Sequence, residues 1–466
     1  MDNQPLCFVL MPFGKKPDPA GRGDIDFDAI YERAIRPGIE DAELVSVRAD
    51  HEQTGGVIHK AMYERLLLCE FAVADLTTAN ANVFYELGVR HATRSHTTLP
   101  IFASHQRIPF DVNFVRALPY QLGPRNELTD ALAAALREGL TKRLRVLRAT
   151  AADHGVADSP LLQLLSGYTP PEISRLKTDE FRDRVDYARG LKAKLAKARR
   201  AEGLGELDAV RDGLGSLDAI ETGVLVDLYL SYRGKKAWSH VIELYDRMPA
   251  PVRHTVLVRE QLAFALNRRA GDDPYSPDRD EALSILEEVE QEQGPSSETC
   301  GLIGRIHKDR FRIAKKGGAV EEATGHLENA IEAYVRGFEA DWRDAYPGIN
   351  AVTLLELRGS AEALARKKRL LPVVRFAVEQ RMAKSKPDYW DHATLLELAV
   401  LDHDEAEARR HLGRALAAVR ERWEPESTGK NLGMIREAWD ERGLAGELPW
   451  LDDVIEALTA RSERSS

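Results

Sequence analysis

The chain has 466 residues, 43% of them hydrophobic and 30% charged, with a formal net charge of -10. That length suits roughly two or three domains, each with its own core. The acidic balance argues against a dedicated nucleic-acid binder, and no run approaches the roughly 18 apolar residues of a membrane span. The three cysteines, Cys7, Cys69 and Cys300, exclude a disulfide scaffold and fit a reducing cytoplasm. The acidic, polar start and the short apolar run behind it do not form a signal peptide. A soluble cytoplasmic protein is expected.

Residues 6–11 (LCFVLM) are continuously apolar, as in a parallel strand covered on both faces. They enter a turn at Phe13 and Gly14, where backbone N–H groups can come close to a ligand. Asp26 caps a helix through residue 35, with Phe27, Ile30, Tyr31 and Ala34 at helical spacing, and Pro37 and Gly38 punctuate it. A second strand spans 44–48. A polar loop with Asp50, Gly55 and Gly56 follows, then a helix over 57–68. The third strand, 71–74, ends in Asp75. A polar loop leads to a helix that begins at Asn82 and carries Glu86 in its first turn, next to Tyr85, and a fourth strand spans 98–102. Strands alternating with helices of roughly 10 to 13 residues imply βαβ units and a parallel sheet.

From residue 128 onward the pattern is helical. A connector helix over 128–149 and a charged helix over 179–200 are followed by helix pairs: 217–232 with 237–247, 252–269 with 279–291, 297–315 with 319–340, and 348–357 with 361–382. The run Thr353-Leu-Leu-Glu-Leu357 recurs as Thr394-Leu-Leu-Glu-Leu398, each time before a charged, Ala-rich helix. Such self-similarity marks a stacked array of helical hairpins, and Ala330, Tyr334, Gly337 and Trp342 loosely fit a tetratricopeptide unit. The expected fold class is therefore an α/β N-terminal domain with a flavodoxin-like, doubly wound parallel sheet, followed by an all-α tetratricopeptide-like solenoid. The expected boundaries are 1–124, a connector over 125–176, and 177–466.

The chemistry concentrates at the carboxyl ends of the strands, where a doubly wound sheet leaves its crevice. Splitting an N-glycosidic bond passes through an oxocarbenium-like centre, which a carboxylate beneath the sugar can stabilise or attack. Glu86 has that chemistry. Asn82, four residues back on the same helical face, has an amide suited to a ribose hydroxyl or to orienting Glu86. Asp75 either accepts from a ribose hydroxyl or caps the turn behind it; Asn82 is equally readable as a helix cap and Glu86 as a first-turn acid. Phe13, Gly14, Arg48, Asp50, Gly55, Gly56 and Tyr85 form the candidate substrate-binding set: rings to stack a base, a guanidinium for phosphate, and glycine turns leading into a helix start. Lys15 and Lys16 are readable as phosphate partners or as a solvated loop. No P-loop, GxGxxG or paired CxxC is present, and a nucleoside-triphosphatase or Rossmann dehydrogenase is not expected.

In the helical region Arg305 and Lys308 share a face, with Tyr346 and Asn350 one hairpin later, a set suited to a nucleotide or an acidic peptide on a concave surface, or to salt bridges between repeats. His403, Glu407 and His411 stand at i, i+4 and i+8, but no fourth ligand accompanies them and no metal is expected.

The helix start Asn82-Val83-Phe84-Tyr85-Glu86-Leu87-Gly88 resembles the Asn-Val-x-x-Glu-Leu-Gly motif of bacterial TIR-like nucleotide-binding domains, several of which cleave NAD. Asp75 with Tyr85-Glu86-Leu87-Gly88 is also similar to nucleoside 2-deoxyribosyltransferases, where a strand-end Asp precedes a helix glutamate that attacks the anomeric carbon. Gly301-Leu-Ile-Gly-Arg305-Ile-His-Lys308-Asp309, and Gly337-Phe338 through Tyr346-Pro-Gly-Ile-Asn350, resemble the TRAFs-binding region of apoptosis-signal-regulating MAP kinase kinase kinases. The chain lacks the Gly-rich loop, HRD and DFG set of a kinase domain. Together these resemblances imply a signalling or anti-phage defence protein that cleaves NAD or a related nucleotide as substrate, with no separate cofactor and with Glu86 as the central carboxylate. They also imply a homo-oligomer regulated through an array that senses a nucleotide or a protein partner. The alternative is a non-catalytic nucleotide-binding scaffold.

Overall fold

The run LCFVL packs both of its faces. Cys7 and Val9 point to one side of the sheet, Leu6, Phe8 and Leu10 to the other, and none is more than 3% exposed. A strand buried on both sides belongs at the centre of a parallel sheet. The structure is a computed structural model that describes residues 4–48, 59–94, 96–106, 117–151, 159–165, 178–273, 275–384, 386–444 and 448–464. Five parallel strands, β1 (Leu6–Leu10), β4 (Val45–Arg48), β5 (Phe71–Asp75), β6 (Thr98–Ala103) and β7 (Leu118–Tyr120), pair in the order β4-β1-β5-β6-β7. The edge strand β7 escaped the sequence reading because it is three residues long and contains a proline. The remaining pair, β2 (Lys15–Pro17) and β3 (Asp24–Asp26), forms an antiparallel ribbon between β1 and the first helix, with β2 exposed and Ile25 of β3 buried in the core.

Chain order therefore reverses between β1 and β5: the connection from β1 leads to β4 on one side, and the chain then crosses to β5 on the other. In open parallel sheets that reversal opens a crevice at the carboxyl ends of the strands. Helices cover both faces. The segments Phe27–Ile30, Tyr31–Ile35 and Arg36–Asp41 pack with the helix Asp130–Thr150 on one side, and His59–Leu68 with Ala81–Thr93 on the other. Asp26 caps the first of these through Ala29 N–H (3.0 Å), as its sequence position predicts. Pro37 and Gly38 do not stop the helix. A π turn over Tyr31–Ile35 precedes Pro37, and the helix continues to Asp41. Gly38 is instead a point of close approach: a Cβ there would lie 3.0 Å from the Arg137 carbonyl, and Thr141 Oγ1 donates to the Gly38 carbonyl (3.1 Å).

The chain divides into two compact units, Met1–Ser231 and Tyr232–Ser466. The helix Asp130–Thr150, expected as a connector, buries Ala133, Leu136, Leu140 and Leu144 on the sheet. Within the first unit, Arg65 pairs with Glu221 at 2.5 Å, and Lys192 of the charged helix Thr178–Arg200 approaches the same carboxylate at 3.7 Å.

The second unit is an array of paired helices: Val256–Arg269 with Pro277–Gln293, Ser297–Lys316 with Val320–Ala340, Ala345–Arg358 with Ala361–Lys384, Tyr389–Leu401 with Glu405–Ala418, and Trp423–Glu441 with Trp450–Arg464. Both Thr-Leu-Leu-Glu-Leu copies lie in first helices of a pair. Their glutamates, Glu356 and Glu397, are both buried. Small residues set the helix spacing: a Cβ on Gly304 would meet the Tyr334 ring at 2.8 Å, and one on Gly348 would meet Phe338 at 2.8 Å.

Candidate functional site

Three strand ends, those of β1, β4 and β5, border the crevice. After β1, Gly14 adopts φ +65, a left-handed conformation suited to glycine. Its N–H donates to Asp28 Oδ1 (3.2 Å) and its carbonyl accepts from Phe27 N–H (3.0 Å), which fixes the turn. At the end of β4, Arg48 donates to the same Asp28 oxygen (2.7 Å) and to the Pro12 carbonyl (3.3 Å). Its guanidinium lies 4.6 Å from the Phe13 ring centroid and 4.7 Å from that of Tyr31. Phe13, Gly14 and Arg48 are thus brought together, with Arg48 held between two rings and a carboxylate. Arg48 Nε is buried without a partner. Asp28, which organises this corner, passes in the sequence for an ordinary first-turn acid. Asp50, Gly55 and Gly56 lie outside the described residues.

Asp75 ends β5 almost fully buried. It accepts from Thr77 N–H (3.0 Å), from the Thr77 hydroxyl and from Tyr120 OH (2.9 Å). Thr77 Oγ1 in turn accepts from Ala103 N–H (2.9 Å). Burial pushes the Asp75 carboxyl up to about 6, against the opposing pull of these hydrogen bonds. Of its two sequence readings, the geometry is that of the turn cap. Asp75 is in phase with Phe71 and Val73, which belong to the core beneath Asp130–Thr150, whereas Val83 and Leu87 of the Glu86 helix join the opposite core. The strand end and the helix carboxylate therefore approach the crevice from different faces of the sheet.

The helix Ala81–Thr93 is capped by Asn80, whose Oδ1 accepts from Asn82 N–H (3.0 Å) and Val83 N–H (3.3 Å). Asn82, readable from the sequence as a cap or as a ribose partner, is instead the second residue of the helix, with its side chain exposed and Glu86 half-buried four residues on. Tyr85 is 55% exposed and its hydroxyl pairs with that of Tyr63 (2.6 Å). Four residues beyond Glu86, Arg90 is completely buried and donates to the carbonyls of Leu66 (2.8 Å), Cys69 (2.7 Å) and Glu70 (2.9 Å). It ties the Glu86 helix to the preceding helix end and to the loop before β5. The sequence signal for this positioning residue is its phase: Val83, Leu87 and Arg90 share the buried face.

The second candidate set converges in the array. Lys308 Nζ donates to Asn350 Oδ1 (3.0 Å) and to Asn431 Oδ1 (3.0 Å). Arg305 approaches Asp309 at 3.6 Å, and Asp309 accepts from Asn267 Nδ2 (2.9 Å). Tyr346 lies beside Arg305 and Tyr334, with its ring 6.2 Å from that of Tyr334. Glu397 accepts from Asn431 Nδ2 (3.2 Å). Burial, with Arg305 next, lowers Lys308 to about 8, and burial raises Glu397 to about 7. The triplet at His403, Glu407 and His411 does not gather: His403 packs on Trp439 (4.9 Å between rings), while His411 faces Glu407 (3.3 Å) and the His392 ring. The three cysteines are buried, and burial pushes the Cys69 thiol up to about 12.

The model of the MAP3K TRAFs-binding domain matches residues 83–446. The chain belongs to this family. The match opens on the Glu86 helix, one residue after Asn82, and runs through the array, so Asp75 and the Phe13–Arg48 corner lie outside it. Among similar proteins, the mitogen-activated protein kinase kinase kinase nsy-1 of Caenorhabditis elegans is 33% identical over 222 residues, 45% of this chain and 14% of that one. The human mitogen-activated protein kinase kinase kinase 6 is 26% identical over 354 residues, 74% of this chain and 24% of that one. The chain thus spans less than a quarter of the length of either relative. Among the described residues no helix is long and apolar enough to cross a membrane.

Proposed function

We propose that this TRAFs-binding-family protein is a two-part signalling protein. Its α/β domain binds a nucleotide in the crevice and cleaves the N-glycosidic bond, with Glu86 as the central carboxylate and NAD or a related nucleotide as substrate. The observation that supports this reading best is the strand order: the chain reverses between β1 and β5, beside the Phe13–Gly14 turn. Glu86 sits in the second turn of the helix that follows β5, half-buried and anchored through Arg90. A half-buried carboxylate on a fixed helix suits an oxocarbenium centre, because its charge is partly desolvated and its position is held before substrate arrives. Asn82, exposed on the same face, serves a ribose hydroxyl. Asp75 acts by shaping the strand end through Thr77 and Tyr120 rather than by touching the sugar. In the same reading the array receives a ligand or protein partner and controls assembly of identical chains in the cytoplasm.

A second reading, a nucleotide-binding scaffold without turnover, is favoured by a specific observation. Arg48 and Asp75 already have partners, Asp28 for the one and Thr77 and Tyr120 for the other. Incubating wild-type protein and Glu86→Gln with NAD and a panel of nucleotides separates the two readings. Release of nicotinamide or free base by the wild type alone supports cleavage. Nucleotide binding without product in either protein supports the scaffold.

A further inference from the structure

The array carries a charge arrangement that its own contacts leave unbalanced. Arg268, Arg305, Lys308 and Arg312 act on one another electrostatically, and Asp309 and Glu397 are the carboxylates set against them. Lys308 is 7% exposed, yet both acceptors of its ammonium are neutral amides. An ammonium has three donors, and two are used. The charges acting on it are mixed, Arg305 and Arg312 opposing the ammonium and Glu397 and Asp309 favouring it. A buried cation held only by neutral acceptors is stabilised further when an anion reaches it. Arg305 and Arg312 both lean on the single carboxylate of Asp309, at 3.6 and 3.9 Å, longer than charge-assisted hydrogen bonds. Beside them Tyr346 is 46% exposed, held at its hydroxyl end by Arg305. The four cations and Tyr346 come from the helices Val256–Arg269, Ser297–Lys316 and Ala345–Arg358, first members of successive pairs.

We propose that the face shared by these three helices binds a small phosphate-bearing ligand of the nucleotide class, with Arg268, Arg305 and Lys308 contacting its phosphates and the Tyr346 ring stacking on its base. Guanidinium groups at the rim and an ammonium at the base match the several oxygens of a diphosphate, which needs donors from more than one direction. The depth of Lys308 favours a compact anion over an acidic peptide lying across the surface. This inference names the ligand class for the sensory role proposed for the array, and it does not depend on cleavage at Glu86.

The test uses the full chain carrying Glu86→Gln, so that bound nucleotide is not turned over. ADP is titrated calorimetrically, and amide hydrogen exchange locates the protection. The expected result is protection across Ser297–Lys316 and Ala345–Arg358. Affinity should weaken about tenfold or more in Arg305→Gln and in Arg268→Gln, while Arg410→Gln, which alters the Glu407 pair elsewhere in the array, leaves it unchanged. Both arginines are partly exposed, so these variants preserve the fold more safely than a change at Lys308. Protection confined to the α/β domain with no effect of either substitution would overturn the proposal. So would binding of a deca-glutamate peptide at this face in place of ADP. Absence of cleavage by the wild type, with ADP protection of the array retained, would separate failure of the glycosidase reading from failure of this one.

Discussion

At Asp75, burial outweighs three hydrogen bonds, and the consequence can be measured. The folded carboxyl titrates at about 6 against an ordinary value of 3.8, so the folded state holds its proton more tightly than the unfolded chain. The stabilisation is complete below about pH 4 and is lost as pH rises through 6. It amounts to roughly 3 kcal/mol across that window. We expect Asp75→Asn to flatten this part of the pH–stability profile in denaturant melts; an unchanged slope between pH 4 and 7 contradicts the assignment. Arg90 is the other residue whose environment decides its role. Arg90→Met removes charge-assisted bonds to three backbone carbonyls from a buried site and should cost about 3 kcal/mol or more. Arg90→Lys should not recover it, because one ammonium cannot reproduce the guanidinium fork. The sequence displays Glu86 and Asp75 as acids at telling positions. It does not display that Tyr120, 45 residues away, takes up Asp75, or that Asp28 takes up Arg48, because such pairings arise only when separate strands come together.

Among the elements, the helix carrying Glu86 offers a clean comparison. Asn80 accepts two backbone N–H groups and Asn82 caps none, so Asn80→Ala should lower stability by about 1 kcal/mol and Asn82→Ala by a few tenths at most. Equal losses would contradict the cap assignment. In the array, the recurring Thr-Leu-Leu-Glu-Leu run was legible as a repeat, and both copies occupy first helices. The two glutamates nonetheless have different partners. Glu356 accepts from Trp439 Nε1 (2.8 Å), Lys367 Nζ (2.6 Å) and Arg442 (2.5 Å), whereas Glu397 meets the Asn431 amide and the Thr353 hydroxyl. A repeated motif fixes position within a hairpin; the neighbouring hairpins fix chemistry. Glu356→Ala leaves two cations and an indole N–H without their acceptor and should cost about 3 to 5 kcal/mol in thermal or chemical melts. Gly348→Ala, which forces a methyl into Phe338 and Val374, should cost about 1 to 3 kcal/mol.

For the molecule as a whole, the sequence conveys two kinds of information unequally. Strand and helix periodicity is local, and it displayed the parallel sheet and the paired helices with ends within a few residues of those observed. The placement of the helix Asp130–Thr150 on the sheet was not legible, since an amphipathic helix does not announce which apolar surface it covers. Family membership identifies the array and the helix that bears Glu86, and leaves the chemistry of the crevice to experiment. The most direct measurement is product analysis of the purified full chain incubated with NAD and a nucleotide panel beside Glu86→Gln. The account predicts release of nicotinamide or free base by the wild type and its loss in the variant. Equal release by both proteins, or none by the wild type across the panel, would contradict a central role for Glu86 in N-glycosidic cleavage.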